Sequence, residues 1–153
     1  MKNLLLTLLT AAVALSTATA QIEVLSLEKL ALPGDQDWGY PRFSPDGRSL
    51  FLSNSQFDGI WQYALDSREL RQLTDDPKSG YAFSVSADGL LLAYRRTFYN
   101  DRTYERTQEL VMMRLQDGET SVVASSRRLS TPAFAGNTLT YAEQPVTESF
   151  QKT

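Results

Sequence analysis

The segment Tyr40 to Leu50, Tyr-Pro-Arg-Phe-Ser-Pro-Asp-Gly-Arg-Ser-Leu, recurs from Phe83 to Leu92 as Phe-Ser-Val-Ser-Ala-Asp-Gly-Leu-Leu-Leu. Phe43 aligns with Val85, an offset of 42 (85 − 43). A short apolar stretch, a polar corner closed by glycine and a second apolar stretch together spell a β-hairpin. A chain that repeats such a unit at a fixed spacing folds as stacked copies of it, because one copy alone cannot bury its apolar face.

The repeat extends beyond the hairpin. In the first unit, Tyr40 to Ser44 reads as a strand and Ser44-Pro45-Asp46-Gly47 as a turn. Pro45 presets φ at the turn's second position, Asp46 can bond back to the main chain, and Gly47 takes the left-handed conformation that a bulged hairpin needs. Leu50 to Ser53 returns, Ile60 to Leu65 alternates as a third strand, Asp66-Ser67-Arg68 turns, and Glu69 to Leu73 is a fourth. The second unit runs Phe83 to Ser86, a turn at Ala87-Asp88-Gly89, Leu90 to Tyr94, Leu110 to Leu115, a turn at Gln116-Asp117-Gly118, and Thr120 to Val123. Ile60 now aligns with Leu110, an offset of 50, so eight residues (50 − 42) are inserted between the second and third strands. A third unit begins at Thr131-Pro132-Ala133-Phe134 and turns at Gly136-Asn137 into Leu139 to Ala142.

Four antiparallel strands in roughly 40 to 45 residues make one blade of a β-propeller. The expected fold is all-β, a partial propeller of two full blades (37–77 and 78–126) and an incomplete one (127–153), preceded by an N-terminal strand and linker over 21–36. Ile22 to Leu27 supplies that strand. Propellers have about four to eight blades, and fewer leave sheet faces and edges uncovered. The chain is therefore expected to be the N-terminal part of a longer ring, with assembly from several copies as the alternative.

Residues 1–20 carry a different signal. Lys2 precedes an apolar run from Leu4 to Leu15, and Ala18-Thr19-Ala20 supplies the small side chains a signal peptidase accepts. The expected product is an exported chain, periplasmic or secreted, that starts near Gln21 and has no membrane span. Cysteine and histidine are absent from the sequence. Their absence excludes disulfide closure, Ser-His-Asp and Cys-His catalysis, and zinc sites built on those ligands. With Lys2 removed, 14 basic residues face 18 acidic ones, a balance that disfavours nucleic acid. No cofactor or metal is expected. Asp75-Asp76-Pro77 reads as a connection between blades, without the third clustered acid that a calcium site needs.

Phe43-Ser44-Pro45-Asp46-Gly47, then Gly59-Ile60-Trp61-Gln62-Tyr63, then Leu70-Arg71-Gln72-Leu73-Thr74 resembles the WD-like repeat of TolB-type exported β-propellers. The second unit departs from that pattern at Val85 and Ala87, where phenylalanine and proline are expected, which loosens the turn there. The resemblance implies a non-catalytic exported scaffold that presents loops to a protein or cell-envelope partner. The same repeat also occurs in propeller domains of prolyl-oligopeptidase-like serine peptidases, so the alternative is the propeller portion of a larger exported hydrolase with its catalytic domain beyond Thr153.

The insertion, Thr97 to Thr107, combines aromatic and arginine side chains of the kinds that anchor interfaces. Arg96, Tyr99, Arg102 and Tyr104 are the binding candidates there, against the alternative of a hairpin that merely lengthens into solvent. Of the aromatics on or beside the strands, most read as core, and Trp38, before the first strand, is the candidate ligand contact. Pro45, Asp46, Gly47, Asp88 and Gly89 are read as structural turn residues.

Overall fold

A computed structural model describes residue 27 and residues 29–144 of the chain. The expected signal peptide (1–20), the strand from Ile22 as far as residue 26, and the chain beyond 144 lie outside the described residues. Residues 27 and 29–31 belong to a separate N-terminal unit and are exposed.

The described residues contain strands and turns and no helix. The first four-stranded sheet is β1 (Trp38–Phe43), β2 (Ser49–Asn54), β3 (Ile60–Ala64) and β4 (Leu70–Thr74), antiparallel and in sequential order. The second repeats that order with β5 (Ser84–Val85), β6 (Leu91–Tyr99), β7 (Arg106–Arg114) and β8 (Thr120–Ser126). A third, two-stranded sheet pairs β9 (Ala133–Ala135) with β10 (Thr138–Thr140). The fold is an all-β partial propeller.

Both corners of the repeat are built from the same atoms. Ser44 Oγ donates to Asp46 Oδ1 at 2.6 Å, and Asp46 Oδ1 also accepts from the Arg48 amide at 3.1 Å. Ser86 Oγ donates to Asp88 Oδ1 at 2.6 Å, which accepts from the Leu90 amide at 3.0 Å. Gly47 and Gly89 close the turns at φ 71° and 72°. The hydroxyl and carboxylate fix the corner, and Ala87 in place of proline leaves it intact.

Period-2 alternation then sorts the side chains between faces. Phe51 and Ile60 of the first sheet meet Phe83, Leu92, Tyr94, Val111 and Met113 of the second in a shared core. On the far side of β2, Leu50, Leu52 and Tyr63 pack with Leu32, Trp38, Leu65 and Leu70. At the third sheet, the Phe134 amide donates to Ser84 Oγ at 3.1 Å and the Ala87 amide to the Gly136 carbonyl at 3.0 Å.

The joint between the two full sheets is close-packed. Ser53, fully buried, donates from Oγ to the Gly59 carbonyl at 2.8 Å, and the Gly59 amide donates to Ser79 Oγ at 3.1 Å. A Cβ on Gly80 would stand 1.8 Å from Ser53 Oγ. This joint anchors the loops at one end of the sheets.

Candidate functional site

The eight inserted residues lengthen a hairpin. β6 and β7 pair without interruption from Leu91↔Arg114 to Tyr99↔Arg106. At the tip, the Asn100 carboxamide oxygen accepts from the amides of Arg102 at 2.9 Å and Thr103 at 3.0 Å, and the Tyr104 amide donates to the Asn100 carbonyl at 2.7 Å. An asparagine that bonds its own following backbone holds the tip in one shape. Glu105 pairs with Arg127, which ties the tip to the chain entering the third sheet.

Alternation along the stem gives its two faces different work. On one face Arg96 pairs with Asp76 at 3.1 Å and with Glu109 at 2.7 Å, and Tyr94 Oη donates to Asp76 Oδ2 at 2.7 Å. Burial opposes the Arg96 charge, but the hydrogen bonds it donates to Glu109 and Asp76 outweigh that and raise the guanidinium pKa above its ordinary value. Burial raises the Tyr94 phenol as well, so it stays a neutral donor. Asp76, expected to lie in a connection, is the acceptor at the centre of this network.

The other face of the stem lines a cavity of about 430 Å³. Arg95, Thr97 and Tyr99 from β6 and Arg106 and Gln108 from β7 form one wall. Phe57, Lys78 and Tyr81 from the loops of the first joint face them, and Arg128, Leu129 and Gln144 close the third side. Arg95 lies over the Tyr81 ring, 6.0 Å from its centroid, and donates through Nη1 to the Leu129 carbonyl. Its Nε is buried without a hydrogen-bond partner among the described residues. Burial first, and then the neighbouring Arg106 charge, lower the Arg95 pKa, with Tyr81 acting in the opposite sense.

An aromatic row leads to the same rim. Tyr40 and Phe57 have ring centroids 4.2 Å apart, and Phe57 meets Tyr81 edge-on at 5.2 Å. Tyr40, Phe57, Lys78 and Ala82 all hold positive φ, between 56° and 64°. Non-glycine residues in that region carry strain that only a well-determined surrounding supports. The loops that present the aromatics are therefore fixed by the structure around them.

The candidates from the sequence are dispersed by this geometry. Tyr99 lines the cavity and is 62% exposed, while Arg102 is exposed at the hairpin tip and Tyr104, near the tip, is 82% exposed. Arg96 points away from the cavity into its ion pairs. Trp38 packs edge-on against Trp61, centroids 5.2 Å apart, in the second apolar cluster, with its indole nitrogen buried and unpartnered among the described residues. Pro45, Asp46, Asp88 and Gly89 line a second cavity of about 600 Å³ at the opposite end, where Asp46 and Asp88 are engaged by their turns. Lys78, Tyr81 and Arg128 escape a reading based on the insertion alone, because they come from connections remote in sequence.

No family model matches the chain, and no curated protein matches it. Solved structures do. Oligogalacturonate lyase from Vibrio parahaemolyticus superposes with a TM-score of 0.56 at 14% identity, over 71% of this chain and 34% of the lyase. The tricorn protease gives 0.53 at 14% identity over 64% of this chain and 10% of its own. TolB from Acinetobacter baumannii gives 0.51 at 14% identity over 65% and 24%. All are β-propeller folds, and the chain spans between 10% and 34% of the length of each. The chain is thus a β-propeller protein, similar in its blades to proteins of diverse activity.

Proposed function

We propose that this chain is the non-catalytic propeller portion of an exported, TolB-type binding scaffold, which presents its long hairpin to a protein of the cell envelope. The observation that carries the reading is the hairpin itself. A ladder of nine residue pairs, capped by Asn100, holds Tyr99, Arg102 and Tyr104 outward on a stiff stem. Tyrosine and arginine on a rigid support lose little entropy on binding and are frequent interface anchors. The test replaces Tyr99, Arg102 and Tyr104 together with alanine and measures capture of partners from an envelope extract. Capture falls by about 30-fold or more, equivalent to about 2 kcal/mol, with an unchanged circular dichroism spectrum. Equal capture by the variant overturns the reading.

A second reading rests on the neighbours. A lyase and a protease carry blades like these, and the chain spans only 34% and 10% of them. On that reading the blades shape access to a catalytic domain beyond Thr153. A nucleophile-elbow segment, Gly-x-Ser-x-Gly, encoded downstream of Thr153 supports it, and further repeats followed by a stop support the scaffold.

A further inference from the structure

The cavity beneath the hairpin differs in character from the projecting tip. Its walls bring together Lys78, Arg95, Arg106 and Arg128 with no carboxylate among the lining residues, in a chain whose net charge is −3. Lys78 is answered by Asp58 at 3.2 Å. Among the described residues Arg95, Arg106 and Arg128 make no ion pair. Their hydrogen bonds go elsewhere: Arg95 reaches the Leu129 carbonyl, and Arg106 reaches the Arg127 carbonyl at 3.4 Å. Arg114, elsewhere on the surface, finds carboxylates in Asp117 and Glu119. Three guanidinium groups sharing one concave, partly apolar space repel one another and focus a positive potential into it. A bound anion relieves that repulsion.

The remaining walls set the shape of the guest. Phe57, Tyr81 and Tyr99 offer ring faces and edges, and the volume of about 430 Å³ lies within the usual range for a small-molecule site. Guanidinium groups match the planar oxygens of carboxylate and phosphate in bidentate fashion. We propose that this cavity binds a small ring-bearing anion, held by Arg95, Arg106 and Arg128 through its carboxylate or phosphate oxygens and by the aromatic side chains through its ring.

The site shares Tyr99 with the proposed protein-binding tip, and its test therefore uses Arg106 and Arg128, which that reading does not involve. The full chain is titrated by calorimetry with phthalate, phenyl phosphate and the neutral ring compound benzamide. At least one of the two anions binds and benzamide does not. Stronger binding of phthalate assigns the site to carboxylates, and stronger binding of phenyl phosphate assigns it to phosphates. In the double variant Arg106→Gln/Arg128→Gln the anion's affinity falls by about 10-fold or more, and its salt dependence becomes shallower. Arg106→Lys/Arg128→Lys keeps the charge but loses the planar fork, and weakens binding less than the glutamine pair does. The proposal is overturned if neither anion binds below roughly 10 mM, if benzamide binds as well as the anions, or if a folded glutamine variant binds the anion as the parent does. If the glutamine variant does not fold, the lysine variant decides: unchanged anion affinity in it overturns the proposal.

Discussion

The sheet β1 to β4 and the sheet β5 to β8 turn the same corners with different side chains, and they diverge at one end. Pro45 becomes Ala87, yet the Ser-x-Asp-Gly atoms keep the same bonds to within 0.1 Å in the pairs Ser44–Asp46 and Ser86–Asp88. Arg68 takes the left-handed position, φ 60°, that Gly118 fills at 77° in the second sheet. Tyr40, at the register shift within β1, and Ala82, just ahead of β5, are 42 residues apart (82 − 40) and both hold φ near 56°. At the other end, Asn54 caps the first sheet's loop by accepting from the Asp58 amide at 2.9 Å, as Asn100 caps the hairpin tip. Asn54 and Asn100 are 46 residues apart (100 − 54), midway between offsets of 42 and 50. Four of the eight extra residues therefore precede the cap and four follow it. A symmetric insertion lengthens both strands, preserves their register and carries an asparagine-capped tip of its own geometry outward, so a blade gains a projecting element without disturbing its core.

The joint between the sheets offers the most damaging way to break that comparison. The connection between the blades packs Gly80 against the first sheet, where an added Cβ would meet Ser53 Oγ at 1.8 Å, Ser53 Cβ at 2.4 Å and the Gly59 carbonyl at 2.9 Å. Backbone and a fully buried side chain cannot yield as a flexible side-chain end does. Gly80→Ala should destabilise the fold by about 3 kcal/mol, read as a lowered midpoint in urea unfolding. A midpoint unchanged from the parent would mean that the connection is not packed tightly against Ser53 and Gly59.

A smaller and more discriminating effect concerns the corners. Gly47 has no heavy atom within 4 Å of a built Cβ, and Gly89 meets only Pro45 Cδ at 4.0 Å. Alanine at either position therefore suffers only from its left-handed φ, about 1 kcal/mol in each case. Equal losses in Gly47→Ala and Gly89→Ala confirm that proline in one turn and alanine in the other make no difference to the native corner. A loss twice as large at Gly47 would restore a role for Pro45.

What the sequence displays well is what short-range chemistry determines. The turn at Ser44-Pro45-Asp46-Gly47 is legible because serine, aspartate and glycine act within four residues of one another. The departure at Val85 and Ala87 suggested a looser turn; the corner is kept because Ser86, Asp88 and Gly89 supply its bonds, and Val85 packs against the shared core. The lengthened hairpin, held as the alternative to a binding loop, matches the paired stem of β6 and β7, with Thr103 and Glu105 in the tip and β7 beginning at Arg106. The cavity is not legible in that way. Lys78, Tyr81, Arg95, Arg106 and Arg128 converge from two separate connections and the two strands of the hairpin, and only the pattern Arg95-x-Thr97-x-Tyr99 opposite Arg106-x-Gln108 hints that one face of the stem is polar. Likewise, nothing local marks Gly80 as the residue that must lack a side chain; that requirement comes from Ser53, with two strands between them in the chain.

The mildest test changes the solution instead of the chain. Asp46 and Asp88 are exposed, and each has a carboxyl pKa held below the ordinary 3.8, chiefly by the serine hydroxyl and then by the amide of Arg48 or Leu90. A group whose pKa is lower in the folded than in the unfolded state contributes stability above the unfolded value and loses it as pH falls through the folded one. Both corners should therefore be fully supported at neutral pH and weaken together below about pH 4. The two carboxylates are to be followed by NMR through an acid titration, with Ser44→Ala and Ser86→Ala as companions. Each serine variant should raise the pKa of the aspartate in its own turn and leave the other unmoved. If the two aspartates of the parent titrate at clearly different pH, the corners are not equivalent in energy, however closely they agree in geometry.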